Sequence, residues 1–481
     1  MVYETKDLST YDGLPHREEQ ARSRRLGIEK VSRSWLRRTT VGGALAIGDV
    51  LVLLIILHLG AFAFVPGSAI ILIGIFWAVG LYTGIGPSPF ERLRLRTLGA
   101  LAFCAIQICA FRAEMHMGGY IGVVIEFLLL VAFGHYTELI VRGWLEARGI
   151  SGAPTVIVGT GPVAEKLFQT LASDLSLGLR PIGFLPLSAH SADAPPSQSP
   201  TQIRGISDLP SSPEVAEVAV VASGNEIALG KHFSAPTGFE RVLMAVDSED
   251  LQSLYLRTRT LGCGVGLEIR NATRLAHYSS VKRCLDLLIC VPAAIFTLPL
   301  VIVLALAVKL IFQEPAFFAQ SRVGREGRLF RIFKIRTMYG DAEHRLAGHL
   351  KAHPEARAEW ERFVKLSDDP RILPVLGTFI RRWSLDELPQ LWNVIRGDMS
   401  LVGPRPFPEY HTACFDEHFR SLRASVLPGI TGLWQVLSRS NGDLSVQRAQ
   451  DLFYIHNQSF WLDLYIVLQT IPAILTAKGA K

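Results

Sequence analysis

The sequence has few charged residues for a chain of its length. Asp, Glu, Lys and Arg make up 19% of its 481 residues, whereas apolar residues make up 49% and the mean hydropathy is +0.28. Soluble globular domains typically carry about 25% charged residues. The composition therefore argues against a soluble enzyme and favours an integral membrane protein with soluble parts. The length favours several domains.

Cysteine is also scarce, and its spacing excludes two common kinds of site. None of the six cysteines forms a Cys-x-x-Cys pair, and most lie in or beside apolar runs. That arrangement predicts reduced thiols rather than disulfides or a zinc site. The first residues are polar and charged, so we expect no cleavable signal peptide. With a net charge of only +6, we expect no nucleic-acid partner.

The N-terminal third contains long apolar runs. A basic arm, residues 1–40, precedes a predicted four-helix transmembrane bundle at 41–145. Its apolar runs are 41–65, 69–86, 97–113 and 120–140. A membrane-spanning helix needs about 20 such residues. Arginines between the second and third runs and after the fourth predict that both ends of the bundle are cytoplasmic. Asp49 and Glu126, within the runs, are either functional acids or acids that face the bundle interior.

Residues 151–272 change to the pattern of a small Rossmann-like α/β domain, with short buried strands around a helix. Strands are predicted near 154–158, 181–187, 217–222, 241–246 and 266–270. The turn from Gly159 to Ala164 is similar to a dinucleotide-binding fingerprint. However, Ser188 stands where an NAD-binding domain would place an acid. A structural or regulatory module is therefore favoured over an NAD site.

A further apolar run at 279–312 contains Pro292 and Pro299 and has basic residues at both ends. Proline removes an amide donor and kinks a helix. A helix that enters the membrane, breaks at Pro299 and returns would keep both basic ends cytoplasmic. A kinked full span is the alternative, and the residues alone leave both open.

The last part of the chain is predicted to be soluble and mainly helical. Strands at 316–322 and 328–336 should form a hairpin around Gly324–Gly327. Helices should follow over 341–366, with an interruption at Pro354, and Ser384-x-x-Glu387 is typical of a capping box that starts a helix. The apolar segment 460–476 is either a membrane-surface helix or a core helix.

Residues 367–406 combine acids and arginines with large apolar side chains, which is typical of a site for a phosphate-rich substrate beside a membrane. Arginine forks match phosphate oxygens, and carboxylates bind Mg²⁺ together with substrate phosphates. The charged candidates are Asp369, Arg371, Arg381, Arg382, Asp386, Glu387 and Arg405. Arg405 lies in a rigid Gly-Pro-Arg-Pro turn, and Trp434 and Gln435 follow a similar turn.

A second candidate cluster begins at the end of the hairpin. Lys334 and Arg336 precede Asp341 and Glu343, which should lie at the start of a helix. Cations there can mask phosphate charge so that a carboxylate attacks phosphorus. Residues two apart do not share a helix face, so these acids cooperate only if Asp341 lies at or before the cap. Alternatively, both acids only stabilise the helix dipole.

These motifs resemble the bacterial sugar transferase family, the polyprenyl-phosphate hexose-1-phosphate transferases. The resemblance covers about 282–480, and the preceding bundle and α/β domain are like the long form of the family. The matching segments are Lys282-Arg-x-x-Asp286, Gln320-x-Arg-Val-Gly-Arg-x-Gly327, Phe333-Lys-Ile-Arg-Thr-Met338, Asp369-Pro-Arg-Ile372, Ser384-Leu-Asp-Glu-Leu-Pro-Gln390, Gly397–Pro406 and Leu427–Gln435.

The resemblance implies an enzyme of the inner membrane, with a re-entrant helix and a membrane-associated catalytic domain (279–481) on the cytoplasmic face. It would transfer hexose-1-phosphate from a UDP-hexose, with UDP-galactose or UDP-glucose favoured, to undecaprenyl phosphate. It would require Mg²⁺, release UMP and initiate exopolysaccharide, capsule or O-antigen synthesis. The family's acidic pair, which carries catalysis and metal binding, maps onto Asp341 and Glu343.

The implied substrate-binding residues are Lys334, Arg336, Asp369, Arg371, Arg381, Arg382, Asp386, Glu387, Gln390 and Arg405, and the implied re-entrant break is at Pro299. The chain departs from the family pattern in two places. Ala342 separates the acidic pair, which leaves open which acid is the nucleophile. Leu298 precedes Pro299 where the family has serine. The lipid bilayer is an expected partner, and a homodimer is left open.

Two other functions share some of these features. A membrane nucleotide-sugar dehydratase or epimerase would need a complete NAD fold, often with a Tyr-x-x-x-Lys pair. The spacing occurs at Tyr278 and Lys282, after the α/β domain. A non-enzymatic scaffold of a polysaccharide export complex would not need the acids and arginines at 331–406.

Overall fold

The computed structural model describes most of the chain, in two compact units, 1–247 and 248–481. The described residues are 14–58, 67–82, 87–111, 117–158, 162–173, 178–185, 218–223, 241–246, 256–261, 264–269, 276–363, 366, 369–413, 415–437 and 444–476.

The first unit begins with helices α1 (Leu14–His58), α2 (Ser68–Ala78), α3 (Pro89–Phe111) and α4 (Met117–Ala147). The segments Leu36–His58, Pro89–Ala110 and Gly119–Ala147 are long and apolar enough to cross a membrane. The second predicted run, 69–86, is different. Helix α2 has only 11 residues, because the chain turns at Gly80, whose φ of 79° is left-handed.

The acids within the spans face the bundle interior. Asp49 is 3% exposed, and its Oδ1 lies 2.5 Å from Arg96 Nη1 while Tyr82 donates to its Oδ2 at 3.1 Å. Glu138 accepts from the arginines of two helices. Glu126 accepts from Gln107 at 3.3 Å. This confirms the interior-facing interpretation of Asp49 and Glu126.

An α/β segment follows, comprising β1 (Ala153–Val158), α5 (Pro162–Ser173), β2 (Leu179–Leu185), β3 (Val218–Ser223) and β4 (Arg241–Val246). The strands form a parallel sheet in the order β2-β1-β3-β4. Ile157, Phe184 and Val220 pack with α5 in its core. The glycine turn at 159–161 and Ser188 lie outside the described residues, so the nucleotide-site interpretation stays a prediction.

The second unit begins with an antiparallel pair, β5 (Leu256–Leu261) and β6 (Gly264–Ile269), of which only β6 is predicted from the sequence. Helix α6 (Ala276–Phe312) then continues through Pro292 and Pro299 without interruption. The helix is therefore not broken at Pro299. Thr297 Oγ1 donates to Ala293 O at 2.7 Å, a bond that bends helices. Most of α6 exposes apolar side chains, which suits contact with lipid.

Charged residues at the start of α6 hold it against the rest of this unit. Arg283 donates to the backbone oxygens of Val394 and Ile395 at 2.5 and 2.8 Å. Asp286 Oδ1 accepts from the Leu401 amide at 3.0 Å. The Lys-Arg-x-x-Asp motif therefore anchors the apolar helix to the charged domain that follows it.

The predicted hairpin is confirmed as β7 (Phe317–Val323) paired with β8 (Leu329–Ile335). The remaining elements are α7 (Ala342–Ala352), α8 (Pro354–Phe363), α9 (Leu376–Arg382), α10 (Gln390–Arg396), β9 (Ser400–Val402), α11 (Glu409–Thr412), α12 (Glu417–Ala424), β10 (Gly429–Thr431), α13 (Leu433–Leu437), α14 (Leu444–His456) and α15 (Phe460–Leu475). Helix α15 buries Leu462 and Ile466, as a core helix does, but exposes apolar side chains at its C-terminal end.

The predicted capping box at Ser384 is wrong. Ser384 has a left-handed backbone (φ 55°) and makes no side-chain cap bond, and only a 3₁₀ turn, Leu385–Glu387, follows it. The next helix, α10, begins at Gln390 after Pro389. Glu387 does not reach back to Ser384, because its carboxylate pairs with Lys334 and Arg405 instead.

Candidate active site

An open cleft of about 1280 Å³ lies within the second unit, and most of the predicted site residues line it. Its walls come from the end of β8, the start of α7, the 3₁₀ turn at 385–387, the Gly-Pro-Arg-Pro turn, α13 and the end of α15. The predicted residues in the lining are Lys334, Arg336, Asp341, Glu343, Arg371, Arg381, Asp386, Glu387 and Arg405.

One side of the cleft is a compact ion cluster. Lys334 Nζ lies 2.7 Å from Glu387 Oε1 and 3.3 Å from Asp386 Oδ2, and Arg405 Nη2 lies 3.0 Å from the same Glu387 oxygen. Residues from β8, the 3₁₀ turn and the rigid turn after β9 thus meet at one carboxylate. Glu387 therefore fixes two cations that face the cleft, where they can bind phosphate oxygens.

The two acids of this cluster differ in pKa. Burial alone would raise the pKa of Glu387, but Arg405 and Lys334 outweigh it and lower this pKa to about 2. Burial raises the pKa of neighbouring Asp386, and Lys334 offsets that only in part. Glu387 is thus the permanently ionised member that holds the cations.

The acidic pair lies on the other side, at the start of α7. Asp341 is the N-cap residue, and its side chain makes no cap hydrogen bond. Glu343 follows in the first turn, and both acids are exposed. The geometry meets the condition for cooperation, because Asp341 precedes the regular helix. Its carboxylate is not committed to the helix amides and faces the cleft.

Arg345 pairs with Asp341 at the start of α7. Its Nε lies 2.7 Å from Asp341 Oδ1, and this hydrogen bond lowers the pKa of the carboxyl group. The guanidinium also stacks on the Tyr339 ring, 3.7 Å from the centroid. An ionised, solvent-accessible carboxylate beside a cation is the form that can act as a nucleophile towards phosphorus.

The arginines of the cleft differ in whether their guanidinium groups already have hydrogen-bond or ion-pair partners. Arg371 makes a two-pronged pair with Asp369, with Nε–Oδ1 at 2.8 Å and Nη2–Oδ2 at 2.6 Å. Arg336 donates Nε to Pro315 O at 2.9 Å. Within the described ranges no carboxylate forms an ion pair with Arg381, so its guanidinium is available to a ligand.

Three predicted substrate-binding residues lie outside the cleft lining. Asp369 instead orients Arg371, and this pair lowers the pKa of Asp369 against the effect of its burial. Arg382 is exposed at the end of α9. Gln390 is 3% exposed at the start of α10. The structure therefore does not bring Arg382 or Gln390 to the site.

The sequence interpretation missed several residues that line the cleft, among them Arg322, Tyr410 and His411. Burial lowers the pKa of Arg322, and the nearby charge of Arg405 lowers it further, so two cations approach each other here. His411 stacks on Phe407, with ring centroids 4.5 Å apart. Only Arg322 lies in a motif that could have flagged it, Gln320-x-Arg322.

The acidic side chains of the cleft could bind Mg²⁺ in one way only, which is together with the substrate. In the part of the chain that the structure describes, no cluster of three or more His, Cys, Asp or Glu side chains forms a metal site. A closed structural metal centre is therefore not present there. Mg²⁺ commonly binds through one or two carboxylates together with substrate phosphates and water. Asp341 and Glu343 fit that mode.

Comparison with known proteins agrees with this site. The family described as bacterial sugar transferase matches residues 277–477, which contain the whole cleft. The undecaprenyl-phosphate galactose phosphotransferase of Salmonella typhimurium is 31% identical, over 86% of this chain and 87% of its own.

Two other relatives have related activities. The UDP-galactose-lipid carrier transferase of Erwinia amylovora is 29% identical over 86% of this chain and 87% of its own. The UDP-glucose:undecaprenyl-phosphate glucose-1-phosphate transferase of Caulobacter vibrioides is 41% identical over 41% of this chain and 71% of its own. The similarity to the first two relatives thus extends over most of the chain. The chain belongs to the bacterial sugar transferase family and is a phosphotransferase.

Proposed function

We propose that this enzyme transfers hexose-1-phosphate from a UDP-hexose to undecaprenyl phosphate, releases UMP and initiates the synthesis of an exopolysaccharide, capsule or O-antigen. UDP-galactose and UDP-glucose are the favoured donors, since relatives carry these names. The observation that supports it best is the joint location of Asp341 and the Lys334–Glu387–Arg405 cluster in one cleft.

The reaction has two steps at phosphorus. An oxygen of Asp341 attacks the phosphorus that bears the sugar, the bond from that phosphorus to the UMP oxygen breaks, and UMP leaves. A phosphate oxygen of undecaprenyl phosphate then attacks the same phosphorus, and the bond to Asp341 breaks. The products are a lipid-linked diphosphate sugar and a regenerated carboxylate.

The cationic side chains of the cleft have different roles in binding the substrate. Lys334 and Arg405 hold phosphate oxygens, with Glu387 fixing their positions, and Arg381, which forms no ion pair with any described residue, offers its guanidinium as well. Arg336 and Arg371 are oriented by Pro315 O and Asp369, respectively. Bound by Asp341, Glu343 and the substrate phosphates, Mg²⁺ would neutralise phosphate charge.

The membrane arrangement is part of the proposal. Helix α6 enters the inner leaflet of the inner membrane, bends near Pro299 and returns, so that the catalytic domain lies at the cytoplasmic face. Pro292 and Pro299 each remove an amide donor from the helix, and this loss and the Thr297 bond support a bend. Cysteine labelling from each side at positions near Lys282 and Gln313 tests this, since labelling from opposite sides would mean a full span.

The middle α/β segment is proposed to be dispensable for chemistry and to serve regulation or dimer contact. The described cleft contains no residue of this segment. The alternative of a dehydratase is disfavoured, because Tyr278 and Lys282 both contact Asp463 Oδ2, at 2.7 and 2.5 Å. Their polar groups therefore hold a structural carboxylate and not a nicotinamide.

The direct test is UMP release by the purified, full-length protein with a panel of UDP-hexoses and undecaprenyl phosphate. We expect UMP and a lipid-linked diphosphate sugar in equal amounts from at least one donor. Dehydrated or epimerised sugar nucleotide without UMP would mean a dehydratase or an epimerase, respectively. No turnover of any donor by folded protein would favour a scaffold.

A further inference from the structure

The chain turns sharply where the apolar helix α6 ends. The helix finishes at Phe312, and Gln313 has a left-handed backbone with a φ of 56°. A residue with a side chain rarely adopts this conformation, and it does so where the surrounding structure holds it there. The next residue, Glu314, reaches the loop between β8 and α7, which carries Asp341.

Glu314 bonds to the residue that immediately precedes Asp341. Its Oε1 accepts a hydrogen bond from the Gly340 amide at 2.8 Å. A Cβ on Gly340 would lie 3.0 Å from Glu314 Oε2, so the carboxylate packs directly against this glycine. A bond from a backbone amide to a carboxylate is charge-assisted and stronger than one between neutral groups. The backbone at Asp341 is therefore held by a side chain from outside its own loop.

Other contacts join the same two segments. The Arg336 amide donates to Ala316 O, and Arg336 Nε donates to Pro315 O, both at 2.9 Å. The rings of Phe312 and Tyr339 pack edge to face, with centroids 6.4 Å apart. The segment that follows α6 thus contacts the loop both at its first residue and just before the acid.

The Asp341 side chain itself is held only weakly. It is exposed and makes no cap hydrogen bond to α7, and its ion-pair partner among the described residues is Arg345, whose side chain is 41% exposed. Attack on phosphorus requires the oxygen to lie about 3–3.5 Å from the reacting atom and in line with the leaving group. The contacts that fix the backbone before Asp341 should therefore affect the rate of attack.

We propose that Glu314 is a positioning residue for Asp341: by accepting the Gly340 N–H, it holds the loop so that the Asp341 carboxylate faces the phosphorus of the donor. This rests on the proposed function. Glu314 does not line the cleft, so it touches no reacting atom. Its effect should therefore appear in the rate of attack and not in the binding of the donor, which uses the cationic side chains of the cleft.

A purely structural bond is the other interpretation of this contact. Loss of such a bond would lower the thermal stability of the protein but leave the reaction rate of each folded molecule unchanged. A positioning bond predicts a slower reaction of the folded protein at saturating donor. The rate at saturation thus distinguishes the two.

The experiment measures UMP release in a single turnover by the full-length protein in detergent, with a UDP-hexose and no lipid acceptor. In folded Glu314→Ala the saturating rate should fall about 10- to 100-fold, while the donor concentration for half-maximal rate stays within about twofold of the wild type. Glu314→Gln, which retains an acceptor oxygen, should react within about threefold of the wild-type rate. Glu355→Ala, at an exposed position of α8 outside the cleft, is the matched control and should react as the wild type does.

Gly340→Ala tests the same bond from the other side. The added carbon must displace the Glu314 carboxylate, so this variant should also be slow, and it should slow Glu314→Ala little further. A wild-type saturating rate in folded Glu314→Ala, or a Glu314→Gln as slow as Glu314→Ala, would overturn the inference while the proposed function stands. Fully independent losses in the double variant would overturn it too. No UMP release by the wild type from any donor would overturn the proposed function, and this inference with it.

Discussion

Arg423 of α12 donates a hydrogen bond from Nη2 to the backbone oxygen of Arg405 at 2.5 Å. Its guanidinium also lies 4.2 Å from the centroid of the Phe407 ring. Asp451 of α14, 3.2 Å from Arg423 Nη1, supplies the opposite charge. A buried ion pair behind the cleft thus supports the turn that presents Arg405.

This pair predicts a pH-dependent stability. Burial raises the pKa of Asp451 to about 6, from the ordinary value of 3.8, although Arg423 partly opposes the rise. The folded protein therefore binds more protons than the unfolded chain between these values. That stabilising contribution is complete below the unfolded pKa and is lost as the pH rises through about 6.

Asp451→Asn cannot titrate, so its unfolding temperature relative to the wild type should rise between about pH 4.5 and pH 7. The corresponding change in unfolding free energy is about 2 kcal/mol. Asp416→Asn is the control, because the Phe419 amide and Arg448 lower the pKa of Asp416. Its stability relative to the wild type should therefore stay constant between about pH 4.5 and pH 7 and change only below the ordinary carboxyl pKa. A difference between Asp451→Asn and wild type that does not vary with pH would contradict the account.

Glu387→Gln should reduce activity by freeing the two cations that it holds. Loss of a charge-assisted hydrogen bond to Lys334 or Arg405 should lower kcat/KM about 10- to 100-fold. Because the pKa of Glu387 is lowered to about 2, the defect should be the same across the pH range of the assay. Glu417→Gln, at an exposed position of α12 outside the cleft, should retain normal rates. Normal kcat/KM in Glu387→Gln would show that this cluster does not bind substrate.

How much of the fold and of the candidate site could be predicted from the sequence depends on how far apart in the sequence the interacting residues lie. The β7–β8 hairpin follows from a local glycine turn, and the start of a helix near Asp341 follows from the acids there, whereas the sequence left open whether Asp341 lies at the cap. The capping box at Ser384 fails because Glu387 pairs with Lys334, which is remote in the sequence. Local patterns do not contain that competing partner.

Partners that are remote in the sequence also explain why Arg423 and Asp451 were not predicted. Arg423 and Asp451 lie on amphipathic helices, where isolated charges are normally expected on the solvated face. Their mutual contact and their contact with Arg405 exist only in the tertiary structure. Asp49 and Glu126 could be recognised as unusual from their apolar surroundings, but their partners, Arg96 and Gln107, could not be predicted.

The bundle should be sensitive to a single methyl group at Gly134. A Cβ there would lie 2.4 Å from Arg96 Nη1, which pairs with Asp49, so Gly134→Ala must displace the buried arginine. We expect a loss of about 1–3 kcal/mol in unfolding free energy. Gly143→Ala, on the same helix with no atom within 4 Å of the added carbon, is the matched control. Equal thermal stability of the two variants in detergent would argue against the packed arginine.

Asp463→Ala should loosen the attachment of α6. Asp463 accepts from Lys282, Tyr278 and Tyr454, and its side chain is 13% exposed. Removal leaves a largely buried Lys282 charge without its partner, which should destabilise the protein by about 3 kcal/mol. Asp398→Ala, which breaks a longer, partly exposed pair with Arg396 and a weak bond from Asn393, should have an effect of about 1 kcal/mol. Thermal unfolding in detergent distinguishes the two, and equal shifts would contradict the proposed anchor.

The covalent intermediate is the most direct test of the central claim. The full-length protein is incubated with a UDP-hexose and no lipid acceptor, and the peptide that contains Asp341 and Glu343 is analysed by mass spectrometry. We expect one hexose phosphate on Asp341, discharged by undecaprenyl phosphate and absent from folded Asp341→Asn. The adduct on Glu343 instead, or full turnover by Asp341→Asn, would contradict the account.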